Sequence, residues 1–408
     1  MTRLIFLIFV FSLTGCQEPV KRTRYDAPKK QQNADEKDED ETSDGTDDTD
    51  DTDDTDDTDD NEEKRENPDT IDQPEDRSID YDSLINKKDL TLSLKTLASD
   101  NFEGRRAGSM GFIKSRDYMI DKLKEIGVKP GNKGSFLQKF DFNARGISGS
   151  TENIIGIIPS NDAQYKDEYV IVGAHLDHLG SGSNNAIFNG ADDNASGSAA
   201  TFHIAKALKG LSLKRNLVII LFSAEELGLI GSRYYVDNPV YPLGKTVLMI
   251  NLDMIGYSNG KLQALGAKKA VGVSKTLGSI LVKYDHLDVT MTVDSGGRSD
   301  HAPFNAKGVP TTTFHTGAGH AHYHQPTDTF EKIDYEGYTD IVKIAAELSY
   351  EVLNDESYKP SMDLVSPAFQ LIPIRDIVDF KAYFEVHGIG HQPMPGSVDD
   401  ALLPGQPL

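Results

Sequence analysis

The chain has 408 residues, enough for one large or two ordinary domains, and a formal charge of −23 at pH 7. Its single cysteine excludes internal disulfides and thiolate metal sites, and the absence of tryptophan and of any basic stripe argues against nucleic-acid binding. The charge is concentrated: residues 17–63 hold 21 acids against 6 bases, a net of −15.

At the N-terminus, Arg3 and the unbroken apolar run Leu4 to Phe11 form a stretch too short to span a membrane, which reads as a secretory signal. Its end, "LTGC", resembles a bacterial lipobox, with Cys16 as the lipidated residue. A lipid there would anchor the protein to a membrane without spanning it. Gln17 in the next position fits outer-membrane sorting, so the expected location is a bacterial cell envelope. "TDDTDDTDDTDDTDD", Thr46 to Asp60, has no apolar group to offset its ordering entropy and carries charges that repel, so it is expected to be an extended tether. The expected organisation is a signal over 1–16, an acidic tether over 17–78, a globular domain over 79–357, and an extension over 358–408, frayed from His391 onward.

Within the globular part, "GFIKSRDYMIDKLKEIGVKPG" predicts a helix carrying Ile113, Tyr118, Met119, Leu123 and Ile126, stopped by Gly127 and Pro130. Strand-like and helical runs then alternate. "EYVIVGAH" predicts a strand and "SGSAATFHIAKALKG" a helix; "NLVIILFSAEE" a strand and "GSRYYVDN" a short helix. "TVLMINLDMIG" predicts a strand, "SKTLGSILVKYDHL" a helix, and "VPTTTFHTG" a strand. The last helix is expected from Tyr335 to Leu353, with Ile341, Ile344, Ala345, Leu348 and Val352 on one face. Continuous apolar strands alternating with helices indicate an α/β fold, a mostly parallel mixed sheet sandwiched between helices.

In such sheets ligands bind beyond the carboxyl ends of the strands, and the chemistry-bearing residues gather there. His175 and Asp177 follow one strand, Glu225 and Glu226 the next, Asp253 a third, and His324 lies in the loop after a fourth. In "FNGADDNASGSAA", Asp192 and Asp193 sit where a helix begins, as N-caps or as metal ligands. Each residue alone has an ordinary structural explanation; together, mixed imidazoles and carboxylates without cysteine suit zinc or another first-row dication.

The ordered motifs "HLDH", "GADDNASG", "SAEELGLIGS", "NLDMIG", "SDHAPF" and "YHQPTDTFEKI" resemble metallopeptidase family twenty-eight, the co-catalytic di-zinc aminopeptidases. The resemblance extends from about Leu92 to Leu353 and includes "LASDNFEGRRAGSMG", similar to the leader helix of secreted bacterial members. It implies a zinc-dependent exopeptidase fold with two zinc ions per chain and peptides as substrates. Asp193 would bridge both ions, His175 and Asp253 would complete one, and Glu226 and His324 the other. Glu225 would be the general base, and Asp177 the acid that holds His175. The family also places a cis peptide after the bridging acid, here Asp193–Asn194. The cap reading remains for Asp192.

Asp300 and His301 match a motif at the edge of the family's site and are expected to support it. His322 stands where relatives often carry an acid, and His315 and His320 either line the pocket or face solvent. Residues beyond Ser357 match no known pattern. Two other readings share the fold: a mono-zinc glutaminyl-cyclase-like transferase, and an inactive binding protein on a peptidase scaffold. The turn "DDNASG" and the complete set of expected ligands favour the aminopeptidase.

Overall fold

The computed structural model describes residues 79–293, 296–317 and 320–360. The lipobox with Cys16, the acidic tether and the C-terminal segment from 361 lie outside the described residues.

In chain order the strands are β1 (Lys129–Pro130), β2 (Leu137–Ala144), β3 (Ile147–Ile158), β4 (Tyr169–His175), β5 (Gly180–Ser181), β6 (Ile187–Phe188), β7 (Asn216–Phe222), β8 (Thr246–Leu252), β9 (Lys261–Leu265), β10 (Asp288–Met291) and β11 (Thr311–His315). The helices are α1 (Tyr81–Leu84), α2 (Lys87–Leu97), α3 (Met110–Glu125), α4 (Gly197–Leu208), α5 (Ile230–Asp237), α6 (Val273–Leu281), α7 (His301–Ala306) and α8 (Tyr335–Asn354). Nine strands form one sheet in the order β1-β3-β7-β4-β8-β11-β9-β10, with β2 paired to β3; β5 and β6 form a separate ribbon. The central strands β7, β4, β8 and β11 are parallel.

The apolar runs of these central strands are continuous because each face of the sheet has its own core. In β7, Leu217, Ile219 and Leu221 enter the larger core, while Val218, Ile220 and Phe222 enter the smaller one. In β4, Val170, Val172 and Ala174 go one way and Ile171 the other. The larger core is closed by α1, α2, α3, α4, α6 and α8, the smaller by α5 and α7. The predicted face of α8 is buried in full: Ile341, Ile344, Ala345, Leu348 and Val352 all enter the larger core. On α3 the buried stripe keeps Met119 and Leu123 of the predicted face and adds Phe112 and Ile120, with Ile113, Tyr118 and Ile126 half-buried at its margins.

The sheet is wider than the sequence predicts, since the hairpin β2–β3 and the edge strands β9 and β10 were not expected. Arg145 and Gly146 turn that hairpin with φ of 51° and 75°, the two left-handed residues a tight hairpin needs. In register, His175 faces Phe222 on β7, and Gly173 faces Asn251 on β8. The carboxyl ends of β4, β7 and β8 therefore lie side by side, and the segments leaving them meet.

Candidate active site

His175, the last residue of β4, is 2% exposed and points its Nε2 at two carboxylates, 3.3 Å from Asp193 Oδ1 and 3.5 Å from Asp253 Oδ1. Asp193 turns its other oxygen away: Oδ2 lies 3.1 Å from His324 Nε2. His324 Nε2 is also 3.1 Å from Glu226 Oε2. All five expected ligands thus converge on Asp193, whose two oxygens serve separate donor sets. Tyr323 stacks on the His324 imidazole with centroids 3.9 Å apart, which holds a half-exposed ring in orientation.

The turn that presents Asp193 differs from the predicted helix cap. Ala191–Ser196 is an irregular turn before α4 and contains the cis peptide Asp193–Asn194. The first-turn donor of α4 at Gly197 is taken by Asn194 Oδ1 at 2.9 Å, not by Asp192. Asp192 Oδ1 instead accepts from the N–H groups of Gly256 and Tyr257, in the segment after β8, and its Oδ2 pairs with His320 at 3.0 Å. Asp192 therefore ties two loops of the site together, because its carboxylate faces the β8 loop rather than the helix axis. Asp328 had no role in the sequence reading. It accepts the N–H groups of Asp192 and Asp193 at 3.0 and 3.1 Å, and burial pushes its carboxyl up to about 6.

Asp177 is fully buried, and its placement differs from expectation in detail. His175 Nδ1 lies 3.0 Å from the main-chain oxygen of Asp177, whereas the nearest carboxylate oxygen is 4.0 Å away. The Asp177 carboxylate accepts from the backbone N–H of Glu225 at 3.2 Å and of Glu226 at 3.4 Å. Asp177 therefore orients the acid pair through its carboxylate and the imidazole through its main-chain oxygen. Burial pushes its own carboxyl up to about 7.

The adjacent glutamates point to different places. Glu225 lines an open pocket of about 360 Å³, together with His175, Asp193, Asp253, Met254 and Leu265. Glu226 turns toward His324 and toward His178, whose Nδ1 is 2.8 Å from Glu226 Oε1. The sequence reading did not single out His178; its position directly after Asp177 in "HLDH" was the available signal. His175, Asp193 and Asp253, and likewise His178, Asp193 and Glu226, bring potential ligand atoms within 4.8 Å of one another.

Burial pushes Glu225 well above the usual carboxylate range, with Asp300, Asp253 and Glu226 adding to the effect against the opposing charge of His175. Burial opposes ionisation of Asp193 as well, but hydrogen bonds from His175 and His324 and the charge of His178 hold it well below that range. In return, the hydrogen bonds to Asp193 and Glu226 raise His324 to about 10. The cluster is anionic and draws positive charge.

Among the peripheral residues, His315 lines the pocket and its Nδ1 accepts the N–H of Gly317. His320 stacks on Tyr257 at 4.6 Å while pairing with Asp192, and His322 Nδ1 meets Thr327 Oγ1 at 2.9 Å. Asp300 is fully buried beside Ser232, and burial pushes it up to about 7; His301 forms part of the pocket wall.

Residues 153–349 match the model of peptidase family M28. The chain is 34% identical over 240 residues to leupeptin-inactivating enzyme 1 of Streptomyces exfoliatus, covering 58% of this chain and 50% of that protein. It is 31% identical over 219 residues to aminopeptidase YwaD of Bacillus subtilis (strain 168), covering 51% and 46%. The chain thus spans about half the length of the curated relatives it matches. Its fold is similar to that of BSAP, a zinc aminopeptidase from Bacillus subtilis, at a TM-score of 0.57 and 19% identity over 70% of this chain and 98% of that one. It is also similar to that of Porphyromonas gingivalis glutaminyl cyclase, at a TM-score of 0.55 and 19% identity over 66% and 99%. Every site residue described above lies within residues 153–349, the segment that matches the model of peptidase family M28.

Proposed function

We propose that this chain is a zinc-dependent aminopeptidase that removes N-terminal residues from peptides and holds two zinc ions. The observation that carries this reading is Asp193, one carboxylate whose two oxygens face two separate sets of donors. His175, Asp253 and Asp193 would hold one ion, and Glu226, His324 and Asp193 the other. The donor set fits: imidazoles and carboxylates without sulfur, with facing donor atoms 3.1 to 3.5 Å apart. Two ligands each about 2 Å from one tetrahedral ion stand about 3.3 Å apart. Two neighbouring dications also need a shared anion between them.

When bound, the ions supply Lewis acidity, which polarises a substrate carbonyl and makes water a stronger acid. The protein's own part falls to Glu225, which faces the pocket with its backbone pinned by Asp177. Glu225 takes a proton from the attacking water and delivers it to the departing amine, a service typically worth about 10²–10⁴-fold in rate. Glu225, raised by burial, would be held in its carboxylate form by dications bound at the neighbouring residues and so be available as a base. Met254, Leu265 and Tyr323 offer apolar surface to the first side chain of the substrate. The names of the relatives, aminopeptidases among them, support the same reading. Attachment to a cell-envelope membrane through a lipid on Cys16 belongs to this proposal too, supported by the pattern of Arg3, Leu4 to Phe11 and "LTGC".

Zinc content of the purified protein, measured beside hydrolysis of a panel of aminoacyl anilides and of glutaminyl peptides, tests the proposal. Two zinc ions and anilide hydrolysis that is lost on chelation and restored by zinc are expected. One ion with cyclisation of glutaminyl peptides, or no turnover of either substrate, would overturn it.

A further inference from the structure

His178 closes the segment His175–Leu176–Asp177–His178 that follows β4, beside the pair Glu225–Glu226 that follows β7. This segment grips the pair twice. The Asp177 carboxylate holds both backbone N–H groups, and His178 Nδ1 reaches Glu226 Oε1 at 2.8 Å. His178 is 1% exposed, and its backbone N–H donates to the carbonyl of Arg105. Its ring lies against Gly190, where an added Cβ would come within 2.5 Å of two ring carbons. The ring is therefore confined.

A carboxylate can only accept, so Nδ1 carries the hydrogen of this bond. His178 Nε2 is buried and has no hydrogen-bond partner among the described residues. Glu226 is divided between two imidazoles, with Oε1 on His178 and Oε2 facing His324. His178 Nδ1 stands 3.8 Å from Asp193 Oδ2, beyond hydrogen-bond distance.

We propose that His178 is a positioning residue: it holds Glu226 Oε1 so that Oε2 is presented to the same point as His324 Nε2 and Asp193 Oδ2. The role rests on the two-metal reading of the site. An Nδ1 that donates its hydrogen to Oε1 has no lone pair left for an ion, which separates this role from direct ligation. Partners that orient a ligand in this way typically change metal affinity by about 10–100-fold when removed.

Two substitutions in the full chain test it. His178→Phe keeps ring volume against Gly190 and removes the donor; His178→Asn places an amide N–H near the position of Nδ1 but offers no imidazole. Zinc stoichiometry and the affinity for each ion, read by chelator competition, are measured beside thermal unfolding of the metal-free proteins. Positioning predicts that His178→Phe weakens one of the two ions by about 10–100-fold and leaves the other unchanged. His178→Asn should recover to within a few-fold of the parent. If His178→Asn binds a single ion even at saturating zinc, His178 is itself a ligand and the proposal is wrong. If His178→Phe leaves both affinities within twofold, the ring only fills space and the proposal is equally wrong. Should His178→Phe fail to fold, the stoichiometry of His178→Asn decides alone. A parent chain that binds no zinc would overturn the metal reading itself, whereas a parent with two ions and an unaffected Phe variant would overturn only the positioning role.

Discussion

Glu225 and Glu226 are chemically identical neighbours, and their surroundings assign them different work. Glu225 faces the pocket; Glu226 is committed to His178 and His324. With the two zinc ions of the proposed function, Glu225→Gln should keep both and lose about 10²–10⁴-fold or more in kcat, because it keeps shape and removes the proton acceptor. Glu226→Gln should bind one ion more weakly and regain part of its activity in excess zinc. Zinc stoichiometry and kcat, with and without added metal, check both; the reverse pattern would exchange the two roles. Arg105 acts at the same scale by a different route. It is fully buried and donates to the carbonyls of Leu97, Leu176, Asn189 and Gly190, tying the segment before α3 to the loops that carry the site. Arg105→Met leaves those acceptors without their charged donor and should cost about 3 kcal/mol or more, read as a lower urea midpoint.

At the scale of elements, helices α2 and α4 meet through Ser93 Oγ and His203 Nε2, 3.0 Å apart in the larger core. Burial lowers His203 to about 4. In the unfolded chain a histidine titrates near 6.5. Above that pH the ring is neutral in both states and pH has no effect through it. Between about 6.5 and 4 only the unfolded state takes up the proton, so stability falls as the pH drops, by up to about 3 kcal/mol, and the loss is complete near 4. His203→Gln removes this contribution while leaving a donor for Ser93. The difference in urea midpoint between parent and variant should therefore change between pH 7 and 4.5, in the direction of a relatively more acid-stable variant; parallel curves would exclude His203 as a source of acid sensitivity.

For the whole molecule, the proposed metal site is a liability until it is filled. Asp193, Asp253, Glu225 and Glu226 are gathered in a largely buried cluster, with imidazoles supplying the local positive charge. Chelation should lower the urea midpoint, and zinc in thousandfold excess over its Kd should add about 4 kcal/mol for each ion bound, relative to the metal-free protein. An unchanged midpoint would mean that no metal binds the folded chain. At the other end of the chain, Cys16→Ser should move the protein out of the detergent phase, since no helix among the described residues is long and apolar enough to cross a membrane. Continued detergent partitioning of that variant would reject lipidation at Cys16.

The sequence by itself determined the α/β class, the parallel central strands and the donor residues at their ends. These follow from local facts: apolar runs that lack polar alternation, helical spacing of buried residues, and acids or histidines set just past each run. Residue pattern and family resemblance together were enough to mark Asp193, His175, Asp253, Glu226 and His324, which the fold brings together from segments up to 149 residues apart. Only tertiary structure decided where the remaining side chains turn. Asp192 binds a loop 64 residues away instead of capping its own helix, Asp177 holds His175 through a main-chain carbonyl, and Asp328 and His178 join the site. The β2–β3 hairpin and the edge strands were equally hidden. Hydrogen-bond partners of buried polar groups are set by which loops meet in space, and hydrophobic periodicity along the chain carries no record of that meeting.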